Sequence, residues 1–155
     1  MYVTLLTLHS LFRWFVLISL IISIYLAYRG WLKNKPYTKS DKTIRIVTVS
    51  IAHTQLIIGL WLYYISPIVD YFLHNFKESV HQTQLRFFGM EHITMMLIAM
   101  TLITAGAGIA RRKKNDRDKF KSTAIWYSIA LLIIFTSIPW EFSPFTSRPY
   151  FRFFE

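Results

Sequence analysis

One stretch decides the fold, because in it an apolar run passes directly into a basic loop: FFGMEHITMMLIAMTLITAGAGIA at residues 87–110, then RRKKNDRDKFK at residues 111–121. A helix needs about 20 apolar residues to cross the hydrocarbon core of a bilayer. The apolar run is long enough, and lipid offers no partner for open backbone groups, so the run must be helical. The basic loop that follows predicts which side of the membrane this end of the helix faces.

Three further apolar runs cover residues 3–27, 46–65 and 124–140. With the first stretch they predict an all-α fold, an integral membrane four-helix bundle in up-down-up-down order, formed by one domain over residues 1–155. The chain is 54% hydrophobic, which is typical of this class. No basic residue precedes the first run and no small-residue cleavage site follows it. We therefore expect a retained helix and not a signal peptide.

The charge of the loops predicts orientation. Residues 29–45 hold six basic residues against one acidic, and residues 111–121 hold seven against two. Each loop is thus +5, and together they account for the net charge of +10. Because positive loops stay in the cytoplasm, we predict that both termini and the connection 66–86 lie outside. The basic residues then serve topology and contact with membrane lipid, and we expect no nucleic-acid partner.

Two further segments and the absence of cysteine refine this interpretation. Apolar residues spaced among polar ones predict a short amphipathic helix near Tyr71 to Val80, lying on the outer surface and partly covering the bundle mouth. The aromatic and basic tail, residues 148–154, is expected in the headgroup region. The chain has no cysteine, which excludes disulfides, thiolate metal sites and a covalently attached c-type heme.

Ionisable residues inside membrane helices are costly and mark functional sites by default. At the rise of an α-helix, His9 lies about 9 Å and His92 about 8 Å below the outer boundary. The two histidines are therefore level, on parallel helices that are diagonal partners in the bundle. Two imidazoles facing each other at one level suit the two axial positions of a heme iron. The sequence thus predicts His9 and His92 as ligands of one heme.

A third histidine gives the main alternative. His53 lies about 18 Å deep, level with Arg13 at about 15 Å, and pairing it with His9 or His92 requires a large offset in depth. We predict that His53 and Arg13 form one deeper polar cluster, which serves as a propionate contact, a proton route or a substrate site. Gln55 belongs to the same polar region of the second helix.

Other residues near the predicted heme have candidate roles. Gly59 is level with both histidines and would let a flat macrocycle approach the helix backbone, and Gly89 would act similarly on the third helix. Arg86 or Arg13 would meet a propionate. Glu91 or a backbone carbonyl would orient a ligating imidazole. The structural alternative is that membrane histidines bond across helices and glycines serve only helix packing.

Several stretches resemble short four-span bacterial membrane proteins labelled cytochrome b-like: His9-Ser10-x-x-Arg13-Trp14, His53-x-Gln55-x-x-x-Gly59, Tyr64-x-Ser66-Pro67, Arg86-Phe87-x-x-x-Glu91-His92-x-x-Met95 and Pro139-Trp140. The likeness covers nearly the whole chain. The architecture also resembles half of a heme A synthase, where a four-helix bundle holds heme between histidines. The resemblance implies b-type heme and a bacterial inner membrane. Heme A synthesis is not implied, because the fourth run has no histidine.

Three functions follow as hypotheses. The first is a membrane-bound b-type cytochrome that transfers single electrons, with a quinone or a redox protein as its partner. The second is an enzyme or chaperone that handles heme or another lipophile, with His53, Arg13 and Gln55 as a polar catalytic or binding cluster. The third is an accessory or assembly subunit of a membrane complex, with structural histidines. The sequence shows no serine–histidine–acid arrangement and no nucleotide or phosphate motif, so no catalytic residue is assigned.

The predicted topology can be tested by thiol labelling in intact cells. A cysteine introduced at His74 should react with a membrane-impermeant reagent, because the connection 66–86 carries no net positive charge and faces out. A cysteine at Lys35 or Lys114 should react only after the cells are permeabilised. Labelling at Lys35 in intact cells, with none at His74, would reverse the orientation.

Overall fold

The computed structural model describes residues 1–141 together with residues 143 and 146. In this part of the chain the secondary structure is helical throughout and no strand occurs, which confirms the all-α prediction. A π-helical segment, Phe87–Glu91, joins the fifth helix to the sixth. In chain order the helices are α1 (Tyr2–Leu32), α2 (Lys39–Ile65), α3 (Pro67–His74), α4 (Phe76–Ser79), α5 (Thr83–Arg86), α6 (His92–Arg112) and α7 (Asp116–Ser137).

Four helical stretches are long and apolar enough to cross a membrane: α1, α2, residues 83–112 and α7. The chain is therefore a multi-pass membrane protein. Helix α1 packs against α2 and α7, and α6 packs against the same two helices. This places α1 and α6 diagonally across the bundle, as predicted for up-down-up-down order.

The predicted ends of the helices need correction at the basic loops. α2 begins at Lys39 and not at residue 46, because Thr38 and Asp41 form a capping box that satisfies the first backbone donors. α7 begins at Asp116 and not at residue 124, and it ends at Ser137. Most of the basic residues assigned to loops therefore lie on the end turns of helices, where the helices project beyond their apolar segments.

Arg45 is the clearest departure from the predicted loop at residues 29–45. Its side chain is only 6% exposed, and it donates to the carbonyl of Ala107 on α6 at 3.3 Å. Its guanidinium also lies 5.9 Å from the ring of Tyr37. Burial raises the pKa of the Tyr37 hydroxyl, and the Tyr37 amide donates to Asp116 at 3.0 Å. These contacts fasten the loop between α1 and α2 to α6 and α7.

The connection between α2 and α6 is helical, as predicted near Tyr71 to Val80, but its first helix begins earlier. Pro67 starts α3 because proline suits the first turn, where its missing N–H would have no helical partner. Phe72 and Val69 face inward, with 2% and 4% exposure, so α3 packs down onto the end of the bundle. The predicted placement of residues 148–154 in the headgroup region lies outside the described residues.

Two glycines of α6 give a matched test of packing against α7. A Cβ at Gly106 would collide with Trp126, whereas a Cβ at Gly108 would meet nothing within 4 Å. Gly106→Ala should therefore destabilise the fold by about 1–3 kcal/mol through overpacking. Gly108→Ala should be neutral or stabilise by up to about 1 kcal/mol, because alanine restricts the unfolded chain. Thermal unfolding in one detergent compares them; equal melting temperatures would contradict the packing.

Candidate cofactor chamber

A cavity of about 360 Å³ lies at the end of the bundle opposite the basic loops, and we call it the chamber. Pockets that bind small molecules and cofactors span about 300–1,000 Å³ and are mostly apolar. The four long helices all contribute lining residues, and Ser66, Ile68 and Val69 at the start of the connection close one side. These residues precede Tyr71, so the prediction that the segment from Tyr71 to Val80 partly covers the bundle mouth stays a prediction. The polar side chains that line the chamber are those of Tyr2, His9, Ser10, Arg13, Gln55, Tyr63, Ser66 and His92.

His9 and His92 face each other in the chamber. Their ring centres are 6.3 Å apart and their planes cross at 76°. Helices α1 and α6 therefore bring the two imidazoles to one level, as the depth calculation predicted. Metal–nitrogen bonds of histidine are about 2.0–2.1 Å long, so two imidazoles on opposite sides of one metal ion have centres about 6.4 Å apart. The observed separation matches that spacing.

His92 is oriented by the end of α7. Its Nδ1 lies 2.9 Å from the carbonyl oxygen of Ser137. That carbonyl is available because α7 ends at Ser137, and the last carbonyls of a helix have no helical partner. A carbonyl on Nδ1 is the usual partner of a metal-ligating histidine, since it fixes the tautomer that leaves Nε2 for the metal. Of the two predicted orienting groups, the structure provides the backbone carbonyl.

A π-helical turn immediately precedes His92, and sequence analysis missed it. Phe87–Glu91 contains one residue more per turn than an α-helix, so it rotates the following side chains relative to the preceding ones. Gly89 within it receives Phe72 of α3, where a Cβ would collide with the Phe72 ring. The Gly89 carbonyl accepts a hydrogen bond from Tyr63 at 2.8 Å. The missing side chain of Gly89 thus leaves room for Phe72 of the connection. The prediction that Gly89 makes room for a macrocycle is wrong.

His9 packs against α2 at Gly59. A Cβ at Gly59 would lie 3.0 Å from Cε1 and 3.5 Å from Nδ1 of the His9 ring, so the glycine leaves room for the imidazole. Gln55, one turn earlier, donates from Nε2 to the His9 carbonyl at 2.9 Å. Within the described chain, Nδ1 of His9 and Oε1 of Gln55 are both buried without a hydrogen-bond partner. The two groups are complementary if the His9 proton sits on Nδ1.

Arg13 lines the chamber one turn below His9. Its guanidinium lies over two indole rings, 5.4 Å from the centre of Trp14 and 5.5 Å from that of Trp140. Cation–π contacts of this kind stabilise a cation in apolar surroundings. Trp140 is held in turn, because its indole donates to the Phe135 carbonyl at 2.8 Å. The two tryptophans therefore hold the positively charged guanidinium of Arg13 beside the chamber.

The structure does not bring His53 to the chamber. Its Nδ1 lies 2.9 Å from the Val49 carbonyl, and its Nε2 lies 3.3 Å from the Thr104 hydroxyl on α6. Among the described contacts of His53, none is with Arg13, so the predicted cluster of His53 and Arg13 is not formed. The reason is rotation about the helix axis: neighbouring residues on a helix point about 100° apart, and it is Ala52 that faces inward.

Arg86 and Glu91 pair with each other instead of lining the chamber. Nε of Arg86 is 2.6 Å from the Glu91 carboxylate, and the guanidinium also donates to the Val80 carbonyl at 3.1 Å. Arg86 was a predicted propionate contact and Glu91 a predicted partner of a ligating imidazole. Their ion pair is structural: it spans the π-helical segment, and the bond from Arg86 to Val80 joins that segment to the connection.

The chamber offers two histidine side chains at this spacing, which is the number of ligands that a heme iron would take from the protein. Within the described residues, no group of three or more histidine, cysteine, aspartate or glutamate side chains is placed to hold a metal ion. A heme iron takes four ligands from its own macrocycle and asks the protein for the axial positions only. Two facing histidines, one already oriented through Nδ1, meet that requirement.

Comparisons with known proteins give no match, whether against protein-family models, curated proteins or solved structures. The resemblance to cytochrome b-like proteins therefore remains a prediction that rests on the quoted motifs.

The tautomer of His9 can be measured. We expect its proton on Nδ1, joined to the Gln55 carbonyl oxygen through one water, because this pairs the two buried atoms that otherwise lack partners. The ¹⁵N shifts of histidine-labelled protein distinguish the protonated nitrogen from the bare one. Gln55→Leu should mix the tautomers, and Thr54→Val, an exposed neighbour bonded within its own helix, should not. An unchanged His9 spectrum in Gln55→Leu would contradict the pairing.

Proposed function

We propose that the protein is a membrane-bound b-type cytochrome whose heme lies in the chamber between His9 and His92. The observation that carries the proposal is the separation of the two imidazoles, 6.3 Å between ring centres, which suits two axial ligands of one metal ion. Bound heme would supply reversible exchange of single electrons. Ligation by two histidines leaves no open position on the iron for oxygen.

Different residues of the chamber would contact different parts of a bound heme. His92 is oriented by the Ser137 carbonyl, and Gly59 leaves space beside His9. Arg13 is the candidate contact for a propionate, because it is the arginine that lines the chamber. The apolar remainder of the lining excludes water, which lowers the local dielectric and favours retention of a lipophilic group.

We place this cytochrome in a bacterial inner membrane with both termini outside, so that the chamber lies near the outer face. The support is the charge of the two basic ends, +5 at each loop region, together with the resemblance of the motifs. An electron donor dissolved in the bilayer, of the quinol class, or a redox protein outside the cell would then reach the same end of the bundle.

A second candidate function uses the same chamber for transient binding. A cavity of about 360 Å³ with few polar groups suits an enzyme or chaperone that handles heme or another lipophile. Tight retention of heme through purification separates the two candidates, because a handling protein must release it. A protein that never acquires heme would be an accessory subunit with structural histidines.

The visible spectrum of detergent-purified protein made with ample heme tests the first proposal. Wild-type protein should show a low-spin b-type spectrum that does not change with carbon monoxide, because both axial positions are filled. His9→Ala and His92→Ala should each lose the heme or leave a high-spin iron that binds carbon monoxide. His74→Ala is the matched control, since His74 is exposed on α3 and bonds within its own helix.

The same series separates the rival ligand. His53→Ala should retain the low-spin spectrum, because His53 does not line the chamber. Loss of the heme in His53→Ala, with a normal spectrum in His9→Ala, would replace the proposed pair. Colourless wild-type protein would remove the cytochrome function altogether.

A further inference from the structure

Another cavity, much smaller than the chamber, lies at the opposite end of the bundle beside the basic loops, and we call it the small cavity. Its volume is about 10 Å³, close to the lower limit of about 10–15 Å³ for a cavity that holds one water molecule. The polar side chains that line it are Ser23 of α1, Tyr37 of the loop between α1 and α2, Asp41 and Arg45 of α2, and Thr123 of α7. The small cavity is therefore polar as well as water-sized, and a buried water needs both conditions.

The Tyr37 hydroxyl faces the small cavity without a partner from the described part of the chain. Its oxygen is buried there and forms no hydrogen bond with those residues. Burial raises the pKa of this hydroxyl, so it keeps its proton and can both donate and accept. Because a buried polar group without a hydrogen bond is destabilising, the hydroxyl favours a partner from outside the chain that is small enough for the cavity.

Arg45 and Asp41 line the same cavity without reaching each other. They are four residues apart on α2 and therefore lie on one face of the helix. Within the described residues Arg45 forms no ion pair, and its guanidinium donates to the Ala107 carbonyl at 3.3 Å. Asp41 accepts from Thr38 through Oδ2, at 2.8 Å and 2.6 Å, and its Oδ1 is a further acceptor. Opposite charges that border one cavity without direct contact are suited to a bridging water.

The charges around the small cavity favour a neutral ligand. Arg45 contributes one positive charge and Asp41 one negative charge, so neither a small anion nor a small cation gains a net attraction. The neighbouring charges, Lys119 and Asp116, are paired with each other at 2.8 Å. Water both donates and accepts hydrogen bonds, so one molecule can serve a guanidinium, a hydroxyl and a carboxylate at once.

We propose that one water molecule occupies the small cavity and joins Arg45, Tyr37 and Asp41. Its oxygen accepts hydrogen bonds from the guanidinium and from the Tyr37 hydroxyl, and one of its protons is donated to Asp41. The water thereby completes an ion pair that the protein leaves open, and it attaches the loop between α1 and α2 to the face of α2 from which Arg45 reaches α6. The site does not depend on heme.

Relaxation dispersion of water oxygen-17 tests the site, because it counts water molecules that stay inside the protein longer than the protein takes to tumble. Detergent-purified Ser23→Val loses a hydroxyl from the lining and places a methyl group in the cavity, so it should retain one long-lived water fewer than the wild type. Ser128→Val is the matched control, since Ser128 lies on α7 and lines neither cavity, and its count should equal that of the wild type. An equal count in wild type and Ser23→Val would overturn the proposal.

Two Tyr→Phe variants test the bridge independently of Ser23. Tyr37→Phe removes one partner of the water and should lower the melting temperature by about 2–4 °C, the shift expected for one lost hydrogen bond in a chain of this size. Tyr127→Phe is the control, because the Tyr127 hydroxyl is also buried without a partner from the described residues but does not line the small cavity. Its melting temperature should not fall. Equal melting temperatures for the two variants would contradict the bridge.

The rival occupant is a small anion held by Arg45. The count of long-lived waters in the wild type should be the same in chloride buffer as in gluconate buffer, because chloride does not compete for a site that also presents Asp41. A water that is counted in gluconate and lost on addition of chloride would show that the cavity binds an anion, and the proposal would fall.

Discussion

The hydrogen bond between His92 Nδ1 and the Ser137 carbonyl is the interaction on which the rest of the chamber depends. It joins two irregularities that would each be costly alone in lipid: the early end of α7 and the π-helical turn before α6. The Ser137 carbonyl, left open where α7 ends, is satisfied by the His92 side chain, which follows the π-helical turn.

Much of the fold could be predicted, because membrane spans obey simple physical limits. Apolar length gave the four helices, and counting residues along them placed His9 and His92 at one level. The helix ends at the basic loops were wrong, because charge was interpreted as loop, whereas Thr38 and Asp41 cap a helix that continues beyond its apolar part. Reading the capping box in the sequence would have moved the start of α2 to Lys39.

The candidate site was predicted less completely, because depth along a helix does not give direction around it. Ala52, Gln55 and Gly59 repeat at three and four residues and share the face toward the chamber, which leaves His53 pointing elsewhere. That spacing was available in the sequence. The π-helical turn was not, since no residue type marks it, and neither was the role of Ser137, which contributes only its backbone.

Gly89 is where the connection between α2 and α6 meets the π-helical turn that precedes His92. Phe72 presses on it from α3, and Tyr63 holds its carbonyl from α2, so three parts of the chain share one turn of backbone. Displacing α3 must therefore strain the π-helical turn that orients His92. The closure of this end of the bundle and the direction of the His92 imidazole are thus mechanically coupled, so that a change which loosens α3 also loosens the imidazole.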